Sequence, residues 1–174
     1  MKTIRSLIGL LLLALLFTAC EKTPSMSELL SYETRPYVAV LSVRDAEPMT
    51  LTLTSGESGE VFTFTQGELT DLSVHIDGTG AIRLTYHDLT IPMPETPLLR
   101  IQAWHALFHL SDKNLIWQIR KETIGGIAVY RCEAEGVTLY IDAATRLPLR
   151  LVSDTLTLDV LSFETNEPEI SPQS

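Results

Sequence analysis

The stretch IAVYRCEAEGVTLYIDAATRLPLRLVS, residues 127–153, decides the fold of this chain. Its apolar and polar residues alternate, so that Ala128, Tyr130 and Cys132 share one face. Alternation of this kind, with many β-branched residues, predicts strands with one covered and one solvated face. A turn around residues 143–146 separates two of the strands, and Leu147 and Leu149 are expected back on the covered face.

The same period of two extends over most of the chain in both directions. It recurs in MTLTLT, LTDLSVHI, IRLTY and LTIPM upstream, and in LTLDVLSF downstream. Hairpin-like joints lie at Asp77–Gly80 and Gly125–Gly126. With Tyr37–Val43 and Val61–Thr65 added, the pattern predicts ten or eleven strands in one antiparallel meander.

One segment, TPLLRIQAWHALFHL at residues 96–110, interrupts the alternation. Thr96 is a suitable cap and Pro97 suits the first turn of a helix. The segment is so apolar that the helix must be covered over most of its girth. We therefore predict a mostly β, α+β fold, in which a curved antiparallel sheet forms an incomplete barrel around this one central helix. A shorter helix is predicted at Ser27–Glu33, capped by Ser27.

The N-terminus has the layout of a secretory signal. Basic residues precede an apolar run at residues 7–17, and the small pair Thr18-Ala19 precedes Cys20. The run is shorter than the ~20 residues that a membrane-spanning helix needs.

The stretch FTAC, residues 17–20, resembles the lipobox of bacterial lipoproteins, although Phe17 stands where that family prefers leucine. The resemblance implies that residues 1–19 are a signal peptide and that Cys20 carries the lipid (diacylglycerol, palmitate). Two or three acyl chains hold a protein to a membrane firmly, whereas a single chain is marginal. The alternative is an ordinary signal peptide with an incidental cysteine.

The rest of the chain divides into three parts. Residues 20–27 are predicted to be the lipidated cysteine and a tether, and residues 28–163 the half-barrel domain. Residues 164–174, ETNEPEISPQS, are acidic and proline-bearing and are predicted to be a disordered tail.

The chain is acidic, with a formal net charge of −9. The two basic residues that precede the apolar run would leave with the signal peptide, so the mature protein is more acidic still. An acidic domain is repelled by the phosphate backbone, which excludes nucleic acid as a partner.

Residues that often carry chemistry are few. His105 and His109 are four apart and would share one face of the predicted helix, as metal ligands sometimes do. Spacing identifies no third ligand, so we predict no metal site and no cofactor. Cys132 lies in the alternating pattern and is predicted to be a buried core thiol. The serines lack a G-x-S-x-G motif, and we do not expect an enzyme.

The aromatic residues are more informative about a ligand. Those on predicted strands or on the central helix are Phe62, Phe64, Trp104, Phe108, Trp117 and Tyr130. They are our candidates for lining an apolar cavity between sheet and helix. A filled core needs the same residues, so both interpretations stay open.

The stretch GIAVYRCEAEGVTLYIDAATRLPLRLVS, residues 126–153, resembles the Lol-type lipoprotein carrier superfamily, which includes a periplasmic carrier and its outer-membrane lipoprotein receptor. Its members often carry a strand ending in IDxxTxLPLR, here Ile141 to Arg150. The resemblance implies an incomplete antiparallel barrel in which helices close an apolar cavity that binds acyl chains. The long N-terminal helix of the carriers is reduced here to SMSELLSYE, and no arginine matches the carrier's lid-locking residue.

These observations predict a lipid-anchored, extracytoplasmic, non-enzymatic bacterial lipoprotein that binds an acyl chain or a lipoprotein in an apolar cavity. Its membrane would be the cell membrane, or the outer membrane in a host that has one. The alternative is a structural or regulatory surface lipoprotein that has a filled core and engages a protein partner.

Overall fold

The computed structural model describes residues 22–44, 48–92, 105, 108–154 and 156–165. A short α-helix, α1 (Met26–Leu29), and a 3₁₀ helix (Ser31–Thr34) come first. Eleven strands follow: β1 (Tyr37–Arg44), β2 (Met49–Gly56), β3 (Gly59–Gln66), β4 (Leu72–Asp77), β5 (Ile82–Tyr86), β6 (Leu89–Pro92), β7 (Gln118–Ile124), β8 (Ile127–Ala134), β9 (Val137–Asp142), β10 (Pro148–Ser153) and β11 (Thr157–Thr165).

All eleven strands form one antiparallel sheet in the order β6-β5-β4-β3-β2-β1-β11-β10-β9-β8-β7. Each strand pairs with a neighbour in sequence except at the centre, where β1 pairs with β11. The edges, β6 and β7, do not pair with each other within the described residues, so the sheet is not closed. The prediction of a mostly β fold built on one antiparallel, unclosed sheet is confirmed.

This strand order places the two edges next to each other in sequence. Because β6 ends at Pro92 and β7 begins at Gln118, the connection between them leads from one edge of the sheet to the other. We call it the crossing connection. Among its described residues, His105, Phe108 and Leu110 contact the sheet or its core.

One face of the sheet carries the core. Along β1 every second residue from Tyr37 to Val43 is buried, and a similar alternation marks β2, β3 and β9. We call this the inner face. Phe108 and Leu110 belong to the same core cluster, so the crossing connection covers part of the inner face. Burying side chains of this size contributes roughly 1.5–3 kcal/mol each.

The predicted central helix is not continuous to Leu110. Among the described residues of the 96–110 segment, His105 is helical and Phe108 to Leu110 are not. The backbone N–H groups of Leu110 and Ser111 donate instead to the Glu33 carboxylate, at 3.1 and 3.0 Å, and these bonds replace a further helical turn. Residues 96–104 and 106–107 lie outside the described residues.

The first helix begins earlier than predicted, because Ser25 rather than Ser27 is its cap. The Ser25 hydroxyl accepts the Glu28 N–H at 3.3 Å, and the Glu28 carboxylate accepts the Ser25 N–H at 2.6 Å. This reciprocal capping box fixes the start of α1 at Met26, within the predicted tether. No helix in the described part of the chain is long and apolar enough to cross a membrane.

Tight turns set the register of the strands. A hairpin joins β2 to β3, with Glu57 and Ser58 at its tip. Gly59, which follows, has φ 115°, and a Cβ there would lie 2.1 Å from the Ile76 carbonyl oxygen. Only glycine fits this position. At the other end, β11 runs to Thr165, and residues 166–174 lie outside the described residues.

Candidate functional site

The structure brings most of the candidate aromatic residues together. Phe62, Phe64, Phe108 and Tyr130 are buried members of one core cluster, and Trp117 packs against it. Trp104 lies outside the described residues. The four buried side chains retain at most 4% of their exposed area, so Phe108 of the crossing connection packs in one core with the inner-face residues Phe62, Phe64 and Tyr130.

The same face carries an acidic residue. Glu60 alternates with Phe62 and Phe64 along β3, and it is 4% exposed, the one buried charged residue in the described part of the chain. Removing a carboxylate from water costs several kcal/mol unless the charge is paired and hydrogen-bonded. The groups that pair with Glu60 therefore determine the chemistry of this part of the inner face.

Two imidazole rings from the crossing connection meet this carboxylate. His105 Nδ1 lies 2.7 Å from Glu60 Oε2, and His109 Nε2 lies 3.0 Å from Glu60 Oε1. The ring centroids are 4.3 Å apart. Both rings donate to Glu60 when His105 carries its hydrogen on Nδ1 and His109 on Nε2. Since both histidine side chains are more than a third exposed, the cluster opens to solvent on one side.

These three residues have the chemistry of a metal site. Each offers one ligand atom, and the three atoms lie within 4.8 Å of one another. The histidine pair was visible in the sequence, but Glu60 was missed because it is 45 residues from His105. A signal did exist: the alternation of β3, extended by one period beyond Phe62, places Glu60 among core residues.

A second carboxylate holds the crossing connection from the other side. Besides accepting the Leu110 and Ser111 N–H groups, Glu33 is largely buried, and burial raises the pKa of its carboxyl. The hydrogen bonds from Ser111 and Leu110 and the nearby His109 act in the opposite direction. Glu33 and Glu60 thus anchor one short segment of chain through its backbone and its side chains, respectively.

A tyrosine continues the polar row from Glu60 across the sheet. The register places Glu60 opposite Ser55, and Ser55 opposite Tyr37. Burial, and then the negative charges of Glu60 and Glu33, raise the pKa of the Tyr37 hydroxyl well above its ordinary value. The hydroxyl therefore stays protonated throughout the physiological range.

The thiol of Cys132 is free and buried, as predicted for a core residue. Burial raises the pKa of this thiol to about 12. Because the thiolate is the reactive form, Cys132 is inert in the folded protein.

The inner face remains apolar beyond the core, at the β5–β6 edge. Leu84 lies opposite the buried Val74 on one side and opposite Ile91 on the other, and Tyr86 lies opposite Leu89. Tyr86, Leu89 and Ile91 are 50%, 59% and 46% exposed. We call these three residues the open apolar edge.

Two clefts lie elsewhere on the surface. One of about 250 Å³ is lined by Ser31, Tyr32, Arg35, Thr145, Arg146, Leu147 and Thr165. The other, of about 220 Å³, is lined by Ile124, Ile127, Val129, Tyr140, Leu149 and Arg150. Leu149 is therefore not on the covered face as expected, because the pairing of β10 with β9 shifts register between Pro148 and Arg150.

No known protein family and no curated protein sequence matches the chain. Among solved structures, an uncharacterised conserved protein from Thermus thermophilus aligns with a TM-score of 0.56 at 14% identity, covering 83% of this chain and 90% of that one. The lipoprotein LppX from Mycobacterium tuberculosis aligns with a TM-score of 0.42 at 14% identity, covering 83% and 98%. The chain shares its overall fold with the Thermus protein.

Proposed function

We propose that this chain is a lipid-anchored, extracytoplasmic, non-enzymatic protein that binds an acyl chain or a similar apolar ligand on the inner face of its sheet. The open apolar edge is the observation that carries the proposal. This edge extends the apolar surface of the core to side chains that are exposed to solvent. Exposed apolar surface next to a core commonly marks a binding site.

The shape of this surface favours a flexible, elongated ligand. The exposed side chains of Tyr86, Leu89 and Ile91 form a strip over two adjacent strands and lead inward to the half-buried Leu84. An acyl chain lying along such a strip gains roughly 0.8 kcal/mol for each methylene that it buries.

The anchor rests on the lipobox resemblance at residues 17–20. Since α1 begins at Met26, five residues separate Cys20 from the first helix. These residues span at most ~18 Å when fully extended. The domain would therefore sit against the membrane surface, near a supply of acyl chains.

A second function has its own support. The near-complete burial of Phe62, Phe64 and Tyr130 favours a filled core. In that case the open apolar edge would engage a protein partner, and the chain would be a structural or regulatory surface lipoprotein.

Native mass spectrometry of the detergent-solubilised full chain separates the two functions. We expect a copurified fatty acid or phospholipid with the wild type, and its loss in Leu89→Asp on the open apolar edge. Leu161→Asp is the matched control, because Leu161 is 61% exposed but lies on the distant β11. A wild-type mass with no non-covalently bound lipid would favour the protein-partner function.

Cell fractionation tests the anchor separately. Cys20→Ala is expected to move the protein from the membrane to the soluble extracytoplasmic fraction. Membrane association of this variant after a high-salt wash would contradict lipid anchoring at Cys20.

A further inference from the structure

The cluster of Glu60, His105 and His109 points to a second binding function, which does not depend on the proposed binding of an apolar ligand. We propose that these three side chains form a site for a divalent transition metal ion, with Zn²⁺ as the best match. The ion would join the crossing connection to β3.

The ligand set supports zinc in particular. Zinc in proteins takes imidazole nitrogen and carboxylate oxygen at about 2.0–2.2 Å, and sites with three protein ligands of this kind keep a fourth position for water. His105 and His109 are four residues apart in the chain, and the structure brings their rings together, with centroids 4.3 Å apart. Oxygen-preferring ions such as Ca²⁺ and Mg²⁺ are disfavoured by two nitrogen ligands.

The distances require little movement to admit the ion. Around a tetrahedral ion with bonds of that length, donor atoms are roughly 3.3–3.6 Å apart. The two carboxylate–imidazole distances are 2.7 and 3.0 Å, so the first must lengthen by about 0.6–0.9 Å and the second by about 0.3–0.6 Å. Side-chain rotation suffices, because both rings are partly exposed.

Proton positions also fit. The ion would replace the hydrogens that His105 Nδ1 and His109 Nε2 direct at Glu60, and each neutral ring would then carry its hydrogen on the other nitrogen. On His109 that nitrogen is Nδ1, which lies 3.7 Å from the Asp112 carboxylate. This distance is longer than a hydrogen bond, but rotation of the exposed Asp112 side chain would bring its carboxylate to that nitrogen, and a carboxylate bonded there orients the imidazole and makes it a better metal ligand. Asp112 is thus a positioning residue for the site.

Charge gives a reason for the site to bind a cation. Glu60 is buried and negatively charged when ionised, and two neutral imidazoles add no compensating charge. A divalent ion coordinated by Glu60 neutralises the carboxylate and leaves a net positive centre open to solvent. Water or an anionic group of a ligand can occupy the remaining position.

Titration calorimetry with Zn²⁺ alone on the chelator-treated, detergent-solubilised full chain tests the proposal. We expect one ion per chain, and a loss of affinity of at least ~100-fold in His105→Gln and in His109→Gln, which exceeds the upper limit typical of outer-sphere changes. Asp112→Asn should weaken binding by ~10-fold or more. His75→Gln is the matched control, since His75 lies on β4 opposite Val61 and Arg83, away from the cluster.

Glu60→Gln is a further test that keeps the volume of the side chain but replaces one acceptor oxygen with an amide N–H donor. Since this variant changes a buried group, its folding is checked by circular dichroism, while the half-exposed His109→Gln keeps the proposal testable if Glu60→Gln unfolds. Cobalt substitution adds an independent readout, because visible d–d bands of tetrahedral Co²⁺ should appear in the wild type and in His75→Gln and be absent from His109→Gln. No stoichiometric binding by the wild type, or equal binding by His109→Gln, would overturn the proposal.

Discussion

The two halves of the sheet follow the same plan and end differently. Strands β1–β6 and β7–β11 are each a meander in sequence order, and they join where β1 pairs with β11. The first half places a carboxylate, Glu60, on the inner face and ends in the open apolar edge. In the second half the inner faces of β8 and β9 are apolar, and this half ends in β7, whose sequence QIRKETI is rich in charge.

The two halves therefore have different roles: the second half mainly builds the sheet, whereas the first half carries the surfaces that we propose bind ligands. Charges on β7 protect that edge from pairing with other chains, which is a common use of charge at a sheet edge. The β6 edge has no such charges and is short instead, ending at Pro92. Both proposed sites, for an apolar ligand and for a metal ion, therefore draw on the first half, and the metal site also uses His105 and His109 of the crossing connection.

The largest expected effect tests whether the halves are one folding unit. Phe62→Ala in the first half should lower the free energy of unfolding by ~3–5 kcal/mol, and Leu139→Ala in the second half by ~2–5 kcal/mol. Both side chains are almost fully buried in the same cluster. Urea unfolding followed by circular dichroism and by tryptophan fluorescence should give one coincident transition for each variant.

The exposed Leu161 supplies the control for that experiment, because Leu161→Ala should change stability by less than about 0.5 kcal/mol. Two separate transitions in either core variant would show that the halves unfold independently, as two folding units.

A smaller loss of stability is expected when the hydrogen bonds between Glu33 and the crossing connection are removed. Glu33→Ala removes the acceptor for the Leu110 and Ser111 N–H groups and should cost ~1–3 kcal/mol, because the Leu110 N–H is left buried and unpaired. Glu57→Ala removes the same charge from an exposed turn and is the control. Equal stability of the two variants would contradict the role of Glu33.

The stabilising effect of Glu33 should also depend on pH. Burial raises the pKa of this carboxyl above the ordinary value of 4.5, so the folded state binds the proton more tightly than the unfolded state. Stability from this group therefore increases as pH falls through the raised pKa, and it is complete below 4.5. The difference in unfolding free energy between wild type and Glu33→Ala should grow over that interval.

The smallest effect compares one turn from each half. Hydrogen bonds from Thr79 lower the pKa of Asp77, and the Thr145 N–H lowers that of Asp142. A lowered pKa contributes stability that is present above the ordinary value of 3.8 and is lost as pH falls through the lower, folded-state value. Asp77→Asn and Asp142→Asn should each flatten the acid side of the melting-temperature profile slightly, and the double variant should be additive. Flattening by one variant alone would show that the two turns are not equivalent.

The strands were predictable because their signal is local. A period of two in residues such as those of β8 and β9 is enough to assign strand and buried face. The Asp142 turn was also visible, and its carboxylate does accept the Ala144 and Thr145 N–H groups at 2.7 and 2.8 Å.

The site was only half predictable, because its parts come from distant segments. The His105–His109 pair is evident from spacing, whereas the approach of Glu60 depends on how the crossing connection runs over the sheet. The end of the helix was predicted wrongly for the same reason. The apolar periodicity continues to Leu110, but the Leu110 N–H group donates to Glu33, which is 77 residues away in the sequence. Local pattern reports on local structure, and these contacts are long-range.

The central pairing of β1 with β11 has a consequence for synthesis on the ribosome. Strand β1 is made first and pairs with β2 soon afterwards, but its other edge must wait for the last strand of the sheet. Until then its sequence, YVAVLSVR, presents free backbone groups flanked by β-branched residues, the kind of edge that recruits other chains. Completion of the domain therefore depends on its final nine-residue strand, and a nascent chain cut short before Thr157 would keep an adhesive edge at the middle of its sheet.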